Sequence, residues 1–169
     1  MRYFIKLLLL CILSMVFRPF AFANDSFEDM ANKMANSFDA PRISAKKLQQ
    51  LMRNDNIIIF DTREKEEFDV SHIKNAIYVG YDDFDLDKAL QQIKKGSVVI
   101  SYCSVGYRSG DITQQLKESD IEAYNLYGGL FNWSNHNKPL FSGNKTKTIN
   151  IHGYDKQWGK WLTKGNVVY

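Results

Sequence analysis

The sequence predicts an α/β fold in which a central parallel β-sheet is covered by helices on both faces. Two short apolar runs, Ile57 to Phe60 and Val98 to Ile100, have the length and β-branched content of buried strands. An amphipathic stretch from Arg108 to Glu118 follows the second run and places Ile112 and Leu116 one helical turn apart. Strands that alternate with helices in this way form parallel sheets with both faces buried.

The first 23 residues predict a secretory signal peptide. Arg2 and Lys6 form its basic start, an apolar core runs from Leu7 to Phe17, and Ala21-Phe22-Ala23 is an A-x-A cleavage site. A membrane anchor is the alternative, but this apolar core is shorter than the ~20 residues that span a bilayer. We therefore expect a periplasmic protein of a Gram-negative bacterium, with no membrane attachment after cleavage.

Removal of the signal peptide changes the charge of the chain. The full sequence has 22 basic and 19 acidic residues, and three of the basic ones, Arg2, Lys6 and Arg18, lie in the predicted signal. Residues 24–169 then carry 19 charges of each sign. The excess of basic residues thus belongs to the targeting segment, and we expect no binding to nucleic acid. The remaining length is that of one domain with a substantial core.

An amphipathic helix is predicted between Asn24 and Phe38, directly after the signal. Ser26 and Asp29 have the spacing of a capping box, and Pro41 lies just past the end of the helix. The apolar residues on one face of this helix are Phe27, Met30, Ala31, Met34 and Phe38. We expect this face to pack on the domain, and binding of a partner protein is the alternative.

Alternating elements fill the middle of the chain. They are a helix over Ser44 to Arg53, the strand at Ile57, a short helix over Glu64 to Phe68, a strand over Ala76 to Val79, a helix over Asp82 to Lys95, a strand over Ser97 to Tyr102, the helix from Arg108, a strand over Ala123 to Tyr127, and a helix from Gly128 to Trp133. Beyond them, Phe141 to Thr148 is predicted to be a polar linker.

The final segment, Ile149 to Tyr169, has large apolar residues at helical spacing, namely Tyr154, Trp158, Trp161 and Leu162. We expect this aromatic face to dock on the domain. The alternative is a lid or a partner-docking surface near the active site, because exposed aromatic residues often anchor interfaces.

Polar residues at the end of the first strand have two interpretations. Asp61 and Arg63 either organise the strand end, which we favour, or place Arg63 near an anion-binding pocket. Arg63 and Glu67 are four residues apart, so we expect an ion pair on one helical face. His72 is expected to be structural, with general-base catalysis as the alternative.

Cys103 is the strongest candidate for chemistry. It is the only cysteine after the signal peptide, and it lies between a strand and a helix, where α/β folds bind ligands. Gly106 gives the loop the backbone freedom to curl into an anion-binding nest, which would stabilise a thiolate. A buried structural cysteine is the alternative. One cysteine and three scattered histidines make a zinc site unfavourable, and we predict no metal or other cofactor.

Several segments together resemble the single-domain rhodaneses, a family of sulfurtransferases. In chain order they are Asp61-Thr62-Arg63, Glu67-Phe68, Ser71-His72-Ile73-Lys74-Asn75-Ala76, the loop from Cys103 to Ser109, Tyr127-Gly128-Gly129-Leu130-Phe131-Asn132-Trp133, and Lys138-Pro139-Leu140. The resemblance divides the chain into a signal peptide (1–23), an N-terminal helical extension (24–42), a rhodanese-like domain (43–140) and an aromatic C-terminal extension (141–169).

The resemblance implies that Cys103 is the catalytic nucleophile. Its thiolate would take a sulfane sulfur from a small donor and hold it as a persulfide, which a thiol or cyanide acceptor then removes. The loop residues expected to bind the substrate sulfur are Ser104, Val105, Gly106, Tyr107, Arg108 and Ser109. Arg108 either adds charge or braces the loop. From Cys103 to Arg108 the loop has six positions, whereas the related phosphatases and arsenate reductases have one more, so their chemistry is a weaker alternative.

The loop departs from the family in its charge. Thiosulfate-preferring members carry a basic residue inside the loop, whereas Ser104 and Val105 are neutral. We therefore expect weak turnover of thiosulfate, and an organic persulfide is an open alternative as the donor. A non-catalytic sulfur carrier or anion-binding module that serves an exported partner protein also remains open.

Overall fold

A computed structural model describes residues 26–54, 56–143 and 145–169, so the predicted signal peptide lies outside the described residues. Within these ranges the central sheet has five parallel strands, in the order β1-β5-β4-β2-β3. The strands are β1 (Arg42–Ile43), β2 (Ile57–Asp61), β3 (Ile77–Tyr78), β4 (Val98–Tyr102) and β5 (Ala123–Leu126). The parallel α/β sheet predicted from the alternating pattern is confirmed.

Helices cover both faces of this sheet. They are α1 (Phe27–Ala35), α2 (Ala45–Leu51), α3 (Lys65–Val70), α4 (Leu86–Gln91), α5 (Arg108–Glu118) and α6 (Gly129–Asn135). Because successive strand residues point to opposite faces, Ile59 and Ile100 join a core with α1, α2 and α6. Phe60 and Val99 join a second core with α4 and α5. Helices on both faces are therefore confirmed.

The N-terminal helix packs on the domain. The predicted capping box is present, since Asp29 N donates to Ser26 Oγ at 3.1 Å and Ser26 N donates to the Asp29 carboxylate at 3.1 Å. Met30 and Ala31 are buried, and Met30 belongs to the first core. The apolar face of α1 is thus covered by this chain itself.

Helix α4 is shorter than predicted. A helix was expected over Asp82 to Lys95, but α4 begins at Leu86 because the Asp85 side chain accepts a hydrogen bond from Lys88 N at 3.0 Å and caps the helix there. The apolar residues Phe84 and Ile93, on either side of α4, still pack against the second core.

The prediction of a linker over Phe141 to Thr148 is wrong. Strands β6 (Leu140–Ser142) and β7 (Thr146–Thr148) form an antiparallel hairpin. Phe141 is buried and exchanges both backbone hydrogen bonds with His72, at 2.8 and 3.0 Å. Gly143, at φ +48, supplies the turn, and the β-branched residues Thr146 and Thr148 favour an extended backbone, which explains why this polar segment forms strands.

The C-terminal segment docks on the domain, but it is not one helix. It forms a parallel strand pair, β8 (Asn150–His152) and β9 (Asn166–Val168), with one short helix, α7 (Lys156–Gly159), between the strands. Ile151 of β8 is fully buried in the first core, which fixes the segment in place. Across the described ranges no helix is long and apolar enough to cross a bilayer.

Candidate active site

Two strand ends come together at the carboxyl edge of the sheet. Asp61 and Tyr102 are register partners at the ends of β2 and β4, and Thr62 N donates to Tyr102 O at 2.9 Å. Arg63 and Cys103 therefore start from the same edge, where parallel α/β sheets bind ligands. Cys103 is 1% exposed and begins the loop that leads from β4 into α5.

The loop curls around the sulfur of Cys103. Gly106 N donates to Cys103 Sγ at 3.1 Å, and Gly106 has φ +100, a conformation that other residues rarely adopt. Asn125 of β5 fixes this curl: its Nδ2 donates to Gly106 O at 2.8 Å, and its Oδ1 accepts from Ser109 Oγ at 2.8 Å. The loop is thus held open around the sulfur before any ligand binds.

Helix α6 supports the loop from the opposite side. Leu130 N donates to Cys103 O at 2.8 Å, and Phe131 N donates to Ser104 O at 3.0 Å. This approach requires Gly129, whose φ is +57 and whose missing Cβ would lie 2.3 Å from Cys103 O. The carbonyl groups of Cys103 and Ser104 thus accept hydrogen bonds on the outside of the loop. The polar groups left to face the inside of the loop are its backbone amides.

Arg108 ties the loop to helix α3. Its guanidinium donates two hydrogen bonds to the Glu67 carboxylate, at 2.8 and 3.0 Å, and a longer one to Ser104 Oγ at 3.3 Å. Ser104 Oγ donates to Glu67 at 2.7 Å. The predicted ion pair between Arg63 and Glu67 is wrong, because Glu67 turns toward the loop and pairs with Arg108 instead.

This pair keeps its charges although it is buried. Burial disfavours both charged forms, but the hydrogen bonds and attraction between the partners outweigh it. They lower the pKa of Glu67, and together with the electrostatic interaction with Cys103 they raise the pKa of Arg108. Arg108 is thus charged, and the adjacent Glu67 carboxylate opposes that charge at 2.8 Å.

Asp61 and Arg63 form a separate pair inside the protein. Both are fully buried, and Arg63 donates to Asp61 through Nε at 2.9 Å and Nη2 at 2.7 Å. Tyr102 Oη also donates to Asp61, and Arg63 Nη2 donates to Ser71 O at 2.6 Å. These contacts join the ends of β2 and β4 to the segment before β3, which is the organising role favoured for them.

His72 lies beside this network. Its ring stacks on Phe68 at 4.1 Å between centroids, and Nδ1 lies 3.0 Å from Phe68 O. Neither His72 nor Arg63 lines the cavity that holds Cys103. The structure therefore brings the residues from Cys103 to Ser109 together in one loop. Asp61, Arg63 and His72 do not line the cavity that holds Cys103.

Cys103 faces a cavity of about 330 Å³. Its lining residues are Met34, Cys103, Ser104, Val105, Tyr107, Arg108, Tyr154 and Trp158. Met34 comes from α1, and Tyr154 and Trp158 come from the C-terminal segment. In the sequence Met34 belongs only to an apolar helix face, whereas the aromatic spacing did indicate Tyr154 and Trp158 as candidates for a surface near the active site.

Asn125 and Glu67 are further residues of the site that the sequence did not identify as such. Both act on the loop across long sequence separations, and a single sequence carries no signal for such a pairing. Among the described residues, no group of three or more His, Cys, Asp or Glu side chains is placed to hold a metal ion.

Comparison with known proteins finds a family that matches the residues around this site. The model of the Rhodanese-like domain matches residues 44–136, more than half of the chain. A thiosulfate sulfurtransferase, GlpE, from Coxiella burnetii is 30% identical over 105 residues, which are 62% of this chain and 95% of that protein. An uncharacterized protein from Synechocystis is 34% identical over 110 residues, 64% of this chain, and the match spans only 59% of that protein's length.

A solved structure has a similar fold. The thiosulfate sulfurtransferase from Pseudomonas aeruginosa superimposes with a TM-score of 0.59 and 20% identity, over 80% of this chain and 26% of the other. At this identity the similarity supports the fold alone.

Proposed function

Since the chain belongs to the family of rhodanese-like domains, we propose that it is a sulfurtransferase that carries a sulfane sulfur on Cys103. The observation that carries this proposal is the contact of Gly106 N with Cys103 Sγ at 3.1 Å, inside a loop that opens into a cavity. A loop amide already directed at the sulfur supports a nucleophilic thiolate and then the anionic persulfide. The similarity to Coxiella GlpE, a thiosulfate sulfurtransferase, supports the same class of reaction.

In the first half-reaction the Cys103 thiolate attacks the outer, sulfane sulfur of the donor. A new S–S bond forms on Cys103, and the bond between the sulfane sulfur and the rest of the donor breaks. The rest of the donor leaves with the electron pair of the broken bond. With thiosulfate the leaving group is sulfite. The product is a Cys103 persulfide anion, and amide groups of the loop from Ser104 to Ser109 are the candidates to stabilise it.

In the second half-reaction an acceptor attacks the outer sulfur of the persulfide. A thiolate acceptor becomes a persulfide, cyanide becomes thiocyanate, and the Cys103 thiolate leaves with the electron pair of the broken S–S bond. Each half is a displacement at sulfur, so the cycle needs no metal ion or other redox partner. The kinetics expected are therefore those of a ping-pong mechanism.

The charges around the cavity favour a donor other than thiosulfate. Arg108 is the only cationic side chain that lines the cavity among the described residues, and both of its terminal nitrogens are engaged by Glu67. Ser104 and Val105 add no charge. A dianion such as thiosulfate thus finds little unpaired positive charge, so we propose an organic persulfide or a related donor of lower charge as the better substrate.

Thiocyanate formation tests the proposed reaction. Purified protein is mixed with cyanide and either thiosulfate or an organic persulfide, and the full-length chain is compared with Cys103→Ser and Cys11→Ser. We expect slow turnover with thiosulfate, faster turnover with the persulfide, and no turnover in Cys103→Ser. Cys11→Ser is the matched control, because Cys11 lies in the predicted signal peptide. Equal turnover in Cys103→Ser and the unmodified chain would refute the role of Cys103.

We also propose that the protein acts after export. The support is the basic, apolar and A-x-A pattern of residues 1–23. Expression of the full chain in a Gram-negative host, followed by osmotic shock, is expected to release a product that begins at Asn24. Retention of the uncleaved chain in the cytoplasm would contradict this.

A further inference from the structure

We propose that Met34, Tyr154 and Trp158 form an apolar wall that selects donors whose sulfane sulfur is attached to an apolar, aromatic body. This specificity rests on the sulfurtransferase function proposed above. The three side chains are those lining the Cys103 cavity that come from outside the loop.

The apolar wall faces the part of a donor that lies beyond the transferred sulfur. Cys103 and the loop contact the sulfane sulfur, so the remainder of the donor extends into the cavity, which at about 330 Å³ has the size of a small-molecule site. Aromatic rings and a methionine side chain favour contact with an apolar or aromatic group there.

The wall also covers Arg108, the cationic side chain of the cavity. The Tyr154 ring centre lies 5.2 Å from the Arg108 guanidinium carbon, and Glu67 occupies the terminal nitrogens of that guanidinium. A second negative charge on a donor therefore gains little from Arg108. Burial of an apolar body becomes the larger source of binding energy.

Contacts in the C-terminal segment hold the wall in position. Asn135 of α6 donates to Trp161 O at 2.9 Å and accepts from Thr163 N at 2.8 Å. The Trp161 ring meets Phe27 of α1 edge-on, with 6.3 Å between ring centres. The two segments that supply the wall thus touch each other, and the wall is preorganised for a ligand.

The wall residues all lie outside the part of the chain that matches the family. The Rhodanese-like domain model matches residues 44–136, whereas Met34 precedes this range and Tyr154 and Trp158 follow it. The loop that carries the sulfur thus comes from the family domain, and the wall is an addition on either side of it. We infer that the additions set the donor preference of this chain.

Two thiosulfonates serve as probes because they differ only in their body. Methanethiosulfonate and benzenethiosulfonate carry the same sulfane sulfur and the same single negative charge. In each case the Cys103 thiolate takes the sulfane sulfur and forms the persulfide, while the S–S bond of the donor breaks and a sulfinate leaves with its electron pair. Cyanide then removes the sulfur as thiocyanate, which is measured.

The measurement is the ratio of kcat/KM for benzenethiosulfonate to that for methanethiosulfonate. Because the two sulfinates differ as leaving groups, the change in this ratio between variants is the informative quantity. We expect Trp158→Ala to lower the ratio by roughly tenfold, as for the loss of a hydrophobic contact in a specificity pocket. Gln157→Ala, an exposed neighbour on α7, is the matched control and is expected to leave the ratio unchanged.

Met34→Ala tests the same wall from α1, so it decides the inference if Trp158→Ala does not fold. An unchanged ratio in a folded wall variant would overturn the apolar wall, while persulfide formation on Cys103 would still support the sulfurtransferase. Absence of a Cys103 persulfide with both probes would instead refute the proposed function itself.

Discussion

Replacing Glu67 with glutamine is expected to destabilise the protein and to loosen the loop that holds Cys103. Glu67 accepts two hydrogen bonds from Arg108, at 2.8 and 3.0 Å, and one from Ser104 Oγ at 2.7 Å. Glutamine has a similar shape, but it has one acceptor oxygen and no charge. The substitution therefore removes the main compensating charge of the largely buried Arg108 and leaves it only the longer contact with the Glu64 carboxylate, at 3.6 Å.

The degree of burial sets the size of this effect. The Glu67 side chain is 3% exposed and the Arg108 side chain is 15% exposed. Breaking a fully buried pair costs about 3–5 kcal/mol, because one charge is left uncompensated. Since Arg108 reaches solvent in part, keeps the Glu64 carboxylate nearby, and still faces the acceptor oxygen of glutamine, we expect a loss of about 2 kcal/mol in the free energy of unfolding.

The pH dependence gives an independent signature of the same pair. Burial alone would raise the pKa of Glu67, but the hydrogen bonds and charge of Arg108 lower it overall. A carboxyl group whose pKa is lower in the folded state stabilises the fold above its unfolded pKa of about 4.3 and loses that contribution as the pH falls below it. The unmodified protein is therefore expected to lose more stability than Glu67→Gln on acidification.

Urea unfolding at pH 7 and at several values below pH 4.5 measures both effects, with a constant denaturant slope required for the comparison. Glu66→Gln is the matched control, because Glu66 lies on the same helix and is exposed. The account of the loop is refuted if Glu67→Gln stays within about 0.5 kcal/mol of the unmodified protein, the range of ordinary surface substitutions, and has the same pH profile.

Three further substitutions test the supports of the site. Gly129→Ala places a Cβ 2.3 Å from Cys103 O at φ +57, so we expect the free energy of unfolding to fall by more than about 2 kcal/mol in thermal or urea unfolding. Its control is Gly96→Ala, at φ +81 in open space, for which we expect a fall of only about 1 kcal/mol. Asn125→Ala removes both hydrogen bonds that fix the curl at Gly106, and we expect at least a tenfold slower formation of the persulfide in stopped-flow kinetics, since misplacement of reacting groups is costly; an unchanged rate would contradict this. Asp61→Asn leaves the fully buried Arg63 without its charge partner, and we expect a loss of about 3–5 kcal/mol in the unfolding free energy, so a near-neutral effect would show that the pair does not organise the strand ends.

Local patterns predicted the alternating helices and strands between Ser44 and Trp133 and the position of the candidate nucleophile. Strands β2 and β4 start as short apolar runs, so Ile57 and Val98 could be assigned to strands without tertiary information. The strand-to-helix boundary then placed Cys103 at the carboxyl edge of the sheet. The capping box at Ser26 is likewise local and was correct.

Features that depend on tertiary contacts could not be predicted in the same way. Helical spacing favoured a pair between Arg63 and Glu67. In the structure Asp61 binds Arg63 inside the protein, and Glu67 pairs with Arg108, which lies 41 residues further along the chain. The support from Asn125 depends on which strand lies beside β4. The apolar wall depends on how segments at both ends of the described chain pack around one cavity.

The intact mass of the purified protein tests the central claim most directly. The protein without its signal peptide is incubated with benzenethiosulfonate or thiosulfate, then with cyanide, beside Cys103→Ser. We predict a gain of one sulfur atom that cyanide removes and that Cys103→Ser does not show. An unchanged mass with every donor, or an equal gain in Cys103→Ser, would contradict the assignment of Cys103 as the sulfur carrier.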